Sequence, residues 1–542
     1  MTAERPFPHH AEALAARYRA AGAWGRTTIG AELSATATRF PERVAVVDGD
    51  RRITYAQLDR QATAIACGLL DRGLCPGDAV VVQSANVVET LVAFYGLLKA
   101  ALVPVCSLPQ HRRREVGDLV ALTGARAHLI QADWPRADLP ALAADLAGAH
   151  ESLRLTITTR GSARGGVALD ELLAHPPGPL PEPHSEDLAA LQLSGGTTGT
   201  PKLIPRLHCD YLCNARAWAD RWGWDERTVA MHALPVMHNA GVALCVLPAL
   251  LTGATVVLAP RADAEVIAGF VERERVTDMV ANATVAYRLL ESDAARSADL
   301  SSLARLSVGP QTPEYAARLE AELGIRALGV FGMGEGMIMC TPWDAPADTR
   351  RTTVGTPIHP LDEVRILDDE LAEVTPGEIG ELACRGPYTI PGYYAADEHN
   401  AVAFTPDGFF RTGDLARAHD IDGTIFYSIE GRIKDNVNRG GEKIHADELE
   451  RLLVTHPAVA EVAVVGMPDP ELGERVCAYV VPRGDAPTLA DLADFLLRQG
   501  VAKFKLPERV EVRSDLPVTS VRKVSKKHLR EDIAAKLAQE RQ

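Results

Sequence analysis

The sequence has no CxxC pair, no uninterrupted apolar run long enough to span a bilayer, and no excess of positive charge. Each absence removes a class. The nine cysteines, at 67, 75, 106, 209, 213, 245, 340, 384 and 477, are scattered. Cys209 and Cys213 lie one helical turn apart beside His208, but no second pair follows at zinc-site spacing, so buried, reduced thiols are expected. The most apolar stretch, Ala240 to Pro260, is broken by Gly241, Pro248 and Gly253. It reads as a buried helix followed by a buried strand, Thr255 to Ala259, rather than a membrane span. The N-terminus, MTAERPFPHHAEALAARYRAAG, carries charges throughout and lacks the apolar centre of a signal peptide. A net charge of −15 disfavours nucleic acid and anionic membranes as partners. No repeat and no low-complexity tract interrupts the chain, and a cytoplasmic location is expected.

What the sequence does contain is alternation. A chain of 542 residues exceeds one hydrophobic core, so more than one domain is expected. From Thr28 to about Ala190, amphipathic helices alternate with short apolar strands. A hairpin is predicted around Gly49-Asp50, a helix from Tyr55 to about Arg72 ended by Gly73, and strands at Ala79–Gln83 and Val103–Cys106. The alternation resumes from Glu265 to Leu323 and implies parallel sheet with helices on its faces. Between Val354 and Tyr427 the texture changes to short β segments separated by Gly and Pro, as in a small barrel or distorted sheet. Mixed α/β returns beyond Gly431, which places the domain boundary there: residues 1–433 and 434–542.

The chain is organised around Leu193 to Arg206, LSGGTTGTPKLIPR. Its glycines (Gly195, Gly196, Gly199) let backbone N–H groups converge, and the hydroxyls of Ser194, Thr197, Thr198 and Thr200 add donors, an arrangement suited to polyphosphate oxygens. Lys202 follows Pro201 rather than a glycine, so this is not the usual P-loop. Alone, such a run reads first as a flexible polar turn. Further on come Gly329-Val-Phe-Gly-Met-Gly-Glu335, whose carboxylate suits Mg²⁺; Arg411-Thr-Gly-Asp414, whose carboxylate can meet two ribose hydroxyls; Gly431-Arg-Ile-Lys-Asp435; Asn438-Arg-Gly-Gly-Glu-Lys443; and a basic stretch around Lys523 that otherwise reads as the start of a solvated helix.

In this order the segments resemble the adenylate-forming superfamily of acyl-CoA synthetases, nonribosomal adenylation domains, aryl acid–AMP ligases and beetle luciferases, over about Thr28 to Leu537. The resemblance implies an α/β fold. A large N-terminal domain of two α/β subdomains plus a small β barrel is followed by a smaller, mobile α+β C-terminal domain. It implies ATP and Mg²⁺ as cofactors. The phosphate loop would be Ser194 to Thr200 with Lys202; Gly309, Pro310, Gln311, Val330, Phe331, Gly332 and Met333 would line the nucleotide; and Glu335 would hold the metal. Asp414 and Arg432 would contact the ribose, Asp435 would be the hinge, and Lys523 would be the lysine that enters the site for adenylation. Gly440, Gly441 and Lys443 would serve the second half-reaction. Family members usually have Gly before that lysine, where this chain has Arg522.

The acid is suggested by Ala233-Leu-Pro-Val-Met-His-Asn-Ala240. Amino-acid-selecting domains carry an Asp here for the α-ammonium. His238-Asn239 instead resembles the aryl acid ligases, in which Asn faces a ring substituent; a helix-capping polar pair is the bland alternative. Arg385 to Tyr394 and Asn438 to Lys443 look like 2,3-dihydroxybenzoate–AMP ligases. The pocket departs from that subgroup: Ala240 to Cys245 offers no hydroxyl, and Gly309-Pro310-Gln311 stands where the family has Gly-Gly-Ala. Val330, Met333 and Ile338 align with the other walls. Salicylate, anthranilate, 3-hydroxyanthranilate and hydroxylated heteroaryl acids stay open. So do an aryl-CoA ligase, a standalone amino-acid-adenylating enzyme, a luciferase-like oxygenase and an inactive nucleotide-binding protein. No Gly-Gly-x-Ser carrier motif follows, so the expected partner is a separate carrier protein with a phosphopantetheine arm, or CoA, and the expected state is monomer or homodimer.

Overall fold

The computed structural model describes residues 7–194, 202–309, 313–439, 442–469, 472–499, 501, 503–519 and 523–540. It divides into two compact units, Met1–Glu363 with Cys384–Phe410, and Val364–Ala383 with Arg411–Gln542.

The first unit contains two sheets. A seven-stranded sheet runs in the order Val167–Ala168, Leu155–Thr158, Ala127–Ile130, Ala79–Gln83, Val103–Cys106, Leu188–Leu193, Leu203–Leu207. It is parallel except for its last pair, Leu188–Leu193 with Leu203–Leu207. The central strands are buried on both faces, which is why they read as unbroken apolar runs. A nine-stranded sheet has a parallel centre formed by Val44–Asp48, Thr255–Leu258, Val229–His232, Asp278–Ala281, Arg305–Val308 and Arg326–Met333. Antiparallel strands extend it at both ends, and the predicted hairpin pairs Val44–Asp48 with Arg51–Thr54.

Helices cover both sheets. Tyr55–Asp71 starts at a capping box in which Thr54 and Gln57 exchange side-chain and backbone hydrogen bonds. One buried apolar cluster joins Val80 and Val82 of the first sheet to Val46 and Val256 of the second through Leu58, Leu91, Phe94 and Trp218 of the intervening helices.

The second unit holds a four-stranded sheet in the order Glu363–Leu367, Ile379–Arg385, Phe410–Ile421, Thr424–Arg432, and a five-stranded sheet around Val459–Asp469 and Gly473–Pro482. Alternation decides the packing of the latter. Val464, Val476, Ala478 and Val480 face one cluster with Leu449 and Leu492, whereas Ala463, Val465, Cys477 and Tyr479 face Leu529 and Ile533 of the helix Lys526–Glu540. The fold is α/β, as expected. All nine cysteines are free and all but Cys75 are buried. Among the described residues no helix is long and apolar enough to cross a membrane.

Candidate active site

The organising loop closes a hairpin. Leu193 pairs with Leu203, and the Ser194 N–H donates to the Lys202 carbonyl at 3.0 Å, so Ser194 and Lys202 flank the segment side by side. Gly195, Gly196, Thr197, Thr198, Gly199, Thr200, Pro310, Gln311, Arg522, Gly440 and Gly441 lie outside the described residues, as does the side chain of Lys443, whose backbone belongs to the strand Glu442–Ile444. At the loop's edge the Ser194 hydroxyl is buried without a partner among the described residues. A buried donor of that kind suits a phosphate oxygen.

Glu335 lies at the turn of a second hairpin, between Arg326–Met333 and Gly336–Cys340. Gly336 (φ 127°) is forced by proximity: a Cβ there would fall 2.4 Å from the Thr389 Cα. Met337 follows with a φ of 43° although it bears a side chain, so the turn carrying the carboxylate is strained. Val330, Phe331 and Ile338 are buried, while Gly332, Met333 and Glu335 are more open. Gly309 ends the neighbouring strand with open space on its Cβ side.

Two residues without an assigned role join these hairpins. The Tyr393 hydroxyl donates to Glu335 Oε1 at 2.7 Å. Lys202 Nζ lies 2.8 Å from His399 Nε2 and 4.8 Å from the centroid of the Tyr393 ring. Burial and then the Lys202 charge lower the His399 pKa, while Glu335 opposes them. Glu335 offers one carboxylate, and no group of three or more metal-ligating side chains occurs among the described residues. That fits Mg²⁺, which is held by one or two carboxylates together with substrate phosphates.

The pocket stretch splits the two sequence readings. His238 does cap: its Nδ1 accepts from the Ala240 N–H at 3.3 Å at the start of the turn Asn239–Gly241. Asn239 is buried, and its Oδ1 accepts from the Tyr211 hydroxyl at 2.9 Å. The chain then enters a π-helical stretch, Val242–Val246, a device frequent at functional sites. Behind Tyr211 lies Arg206, fully buried, with its guanidinium 4.4 Å from the Tyr211 ring centroid. Arg206 Nε donates to Asp210 Oδ1 at 2.9 Å, and Nη1 donates to the Gly334 carbonyl at 3.1 Å. A continuous buried path therefore runs from the Glu335 turn through Arg206 and Tyr211 to Asn239. Tyr211 and Arg206 escaped the sequence reading, although Arg206 ends the stretch around which the chain is organised.

The second unit, taken by itself, carries the remaining candidates. Asp414 and Arg432 are cross-strand partners, with Arg432 Nε 2.7 Å from Asp414 Oδ1. Asp435 lies in a short 3₁₀ turn, with Arg530 Nη1 donating to its Oδ1 at 3.1 Å. Lys523 is exposed beside the Val518–Val524 bridge, and its carbonyl accepts from the Thr519 N–H at 2.7 Å.

Parallel sheets that end in a hairpin with a buried hydroxyl at its edge, and a lysine and a carboxylate held beside it, suit a nucleotide-handling α/β enzyme. Residues 33–394 match the AMP-binding enzyme family, and residues 448–523 match the AMP-binding enzyme C-terminal domain. The 2,3-dihydroxybenzoate-AMP ligase of Bacillus subtilis is 41% identical over 535 residues, 98% of this chain and 98% of that protein. A Streptomyces protein named salicylyl-CoA synthase / salicylate adenylyltransferase is 41% identical over 551 residues, 99% of each. Among solved structures, apo MbtA of Mycobacterium smegmatis is 37% identical with a TM-score of 0.75, over 97% of this chain and 98% of that one. The chain belongs to the AMP-binding enzyme family and is a ligase that forms an acyl-adenylate.

Proposed function

We propose that this enzyme activates an aryl carboxylic acid with ATP, releasing pyrophosphate. It then transfers the aryl group from aryl-AMP to the phosphopantetheine thiol of a separate carrier protein, in siderophore or related aromatic natural-product biosynthesis. The observation that carries the reading is Asn239, a buried amide at the position where an amino-acid-selecting site needs a carboxylate. The dihydroxybenzoate and salicylate named in its relatives support the aryl class.

The Tyr211–Asn239 bond narrows the acid. With its carbonyl taken by Tyr211, Asn239 has its NH₂ left for the substrate. Burial raises the Tyr211 pKa against the neighbouring Arg206 charge, so the phenol keeps the proton it donates. The phenol donates to Asn239. An NH₂ group pairs with an acceptor, so an ortho hydroxyl oxygen or a ring nitrogen fits. An ortho amino group, whose lone pair is delocalised into the ring, does not. Salicylate-type or N-heteroaryl acids are favoured over anthranilate.

A carboxylate is a poor electrophile, and ATP remedies this. A carboxylate oxygen attacks the α-phosphorus, the bond to the bridging oxygen breaks, and pyrophosphate leaves. Ser194, the loop Gly195–Thr200 and Lys202 bind the phosphates, and Glu335 holds Mg²⁺, which supplies charge neutralisation when bound. Asp414 and Arg432 hold the ribose, and Lys523 stabilises charge between carboxylate and phosphate. Rotation about Asp435 then replaces Lys523 by Gly440, Gly441 and Lys443. The thiolate attacks the aryl carbonyl and AMP leaves, domain rotation acting as a gate rather than as chemistry.

The test offers ATP and the aryl acid together with holo-carrier protein or CoA and weighs the products by mass spectrometry. An aryl thioester on the carrier is expected. Aryl-CoA alone would reassign the acceptor, and no aryl-AMP at all would refute the reading.

A further inference from the structure

The segment from Ile390 to Asn400 ties the two hairpins of the phosphate site together. The Ile390 N–H donates to the Glu335 carbonyl at 2.8 Å, and the Tyr394 N–H donates to the Leu203 carbonyl at 2.9 Å. The segment is closed on itself by Asn400, whose Oδ1 accepts from the Tyr393 N–H at 2.8 Å and whose Nδ2 donates to the Tyr393 carbonyl at 2.9 Å. Ala395, with a φ of 47°, turns the chain between them, and the helical turn Asp397–Asn400 forms the far side. The closed loop therefore presents two side chains to the two charged groups. Tyr393 meets Glu335, and His399 meets Lys202 at 2.8 Å. The imidazole and the Tyr393 ring sit 5.0 Å apart, tilted by 58°, so each limits the other's rotation.

An ammonium only donates, so His399 Nε2 is the acceptor. We propose that His399 is a positioning residue for the ATP half-reaction, its imidazole holding the Lys202 ammonium at the exit of the phosphate loop before the polyphosphate arrives. The proposal rests on the ATP-dependent function proposed for this site. Lysine is a compact charge on a flexible stem, and a site that orders the stem beforehand loses less freedom when the anion binds. A neutral acceptor orders it without cancelling the charge, which a carboxylate partner would do. The ammonium has three N–H donors, so it keeps His399 while donating to a phosphate oxygen. The Tyr393 ring adds a cation–π attraction from the side.

The experiment compares His399→Leu with His399→Gln in the full chain. It reads affinity for a non-hydrolysable ATP analogue by calorimetry, and KM for ATP and kcat by pyrophosphate exchange. The Leu variant is expected to raise Kd and KM about tenfold while kcat stays within about threefold. The Gln variant, whose amide oxygen accepts from an ammonium, is expected to return within about threefold of the native values. In a Lys202→Met background, His399→Leu is expected to cause no further loss, because the histidine acts through the lysine. An unchanged ATP affinity in the Leu variant would overturn the proposal. So would a Gln variant as impaired as Leu, or an added loss in the Lys202→Met background. His399→Met carries the same comparison if His399→Leu does not fold. The calorimetric arm needs no acid, so a chain that binds ATP but exchanges with no aryl acid would refute the proposed function and leave this test standing.

Discussion

The Tyr211 phenol donates to the Asn239 carbonyl at 2.9 Å, and both side chains are buried. The polarity of the pocket's amide is thereby set from behind, by a residue on the helix His208–Trp222. Tyr211→Phe removes that donor and frees Asn239 to present either end. The ratio of kcat/KM for a 2-hydroxy over a 2-amino benzoate is expected to fall about tenfold, a change of one neutral hydrogen bond. Competitive pyrophosphate exchange measures it; an unaltered ratio would show that Tyr211 does not orient the amide.

Glu335→Gln keeps the size and the Tyr393 contact but removes the charge. The Mg²⁺ concentration giving half-maximal exchange is expected to rise at least about tenfold. Tyr393→Phe is expected to have a smaller effect, since it leaves the carboxylate in place. An exchange rate titrated against Mg²⁺ separates the two.

Lys523→Ala is expected to lower adenylation by about a hundredfold or more while sparing transfer from preformed aryl-AMP. Normal adenylation by the variant would remove Lys523 from the first half-reaction. Stopped assays of each half-reaction decide this.

Asp362 supplies a pH signature of stability. Burial pushes its carboxyl up to about 7, with the Tyr388 hydrogen bond opposing. Because the folded value lies above the unfolded one, the group's stabilisation is complete below pH about 4 and is lost as pH rises towards 7. Asp362→Asn removes the ionisation, so its Tm relative to the native protein is expected to increase between pH 5 and 8. A difference that does not vary with pH would contradict the assignment.

The parts legible in the sequence were those whose physics is local. Ala79–Gln83 and Val103–Cys106 were identifiable because buried parallel strands are apolar runs between polar turns. The helix from Tyr55, ended by the turn at Gly73, was legible for equally local reasons. Gly329 to Glu335 was less transparent. Val330 and Phe331 pair with Cys340 and Met339, so strand continues to Met333 and the turn is confined to Gly334 and Glu335. The basic run at Lys523 suggested a helix start; the helix begins at Lys526, beyond the Val518–Val524 bridge.

What no local pattern encodes is the company a residue keeps across the fold. Lys202 and His399 are 197 positions apart, and Glu335 and Tyr393 are 58 apart. Tyr393 lay within a stretch already noted for its resemblance, which was a usable signal. His399, in Asp397-Glu-His-Asn400, had none. The orientation of Asn239 likewise depends on Tyr211, which its own neighbours do not reveal.

The central claim is adenylation of an aryl acid with an ortho acceptor, and ATP–pyrophosphate exchange tests it most directly. The panel should contain salicylate, 2,3-dihydroxybenzoate, anthranilate, 3-hydroxyanthranilate and N-heteroaryl carboxylates, with amino acids and fatty acids as controls. Exchange confined to acids bearing an ortho hydroxyl or ring nitrogen is the predicted result. Exchange only with amino or fatty acids, or with no acid, would contradict it.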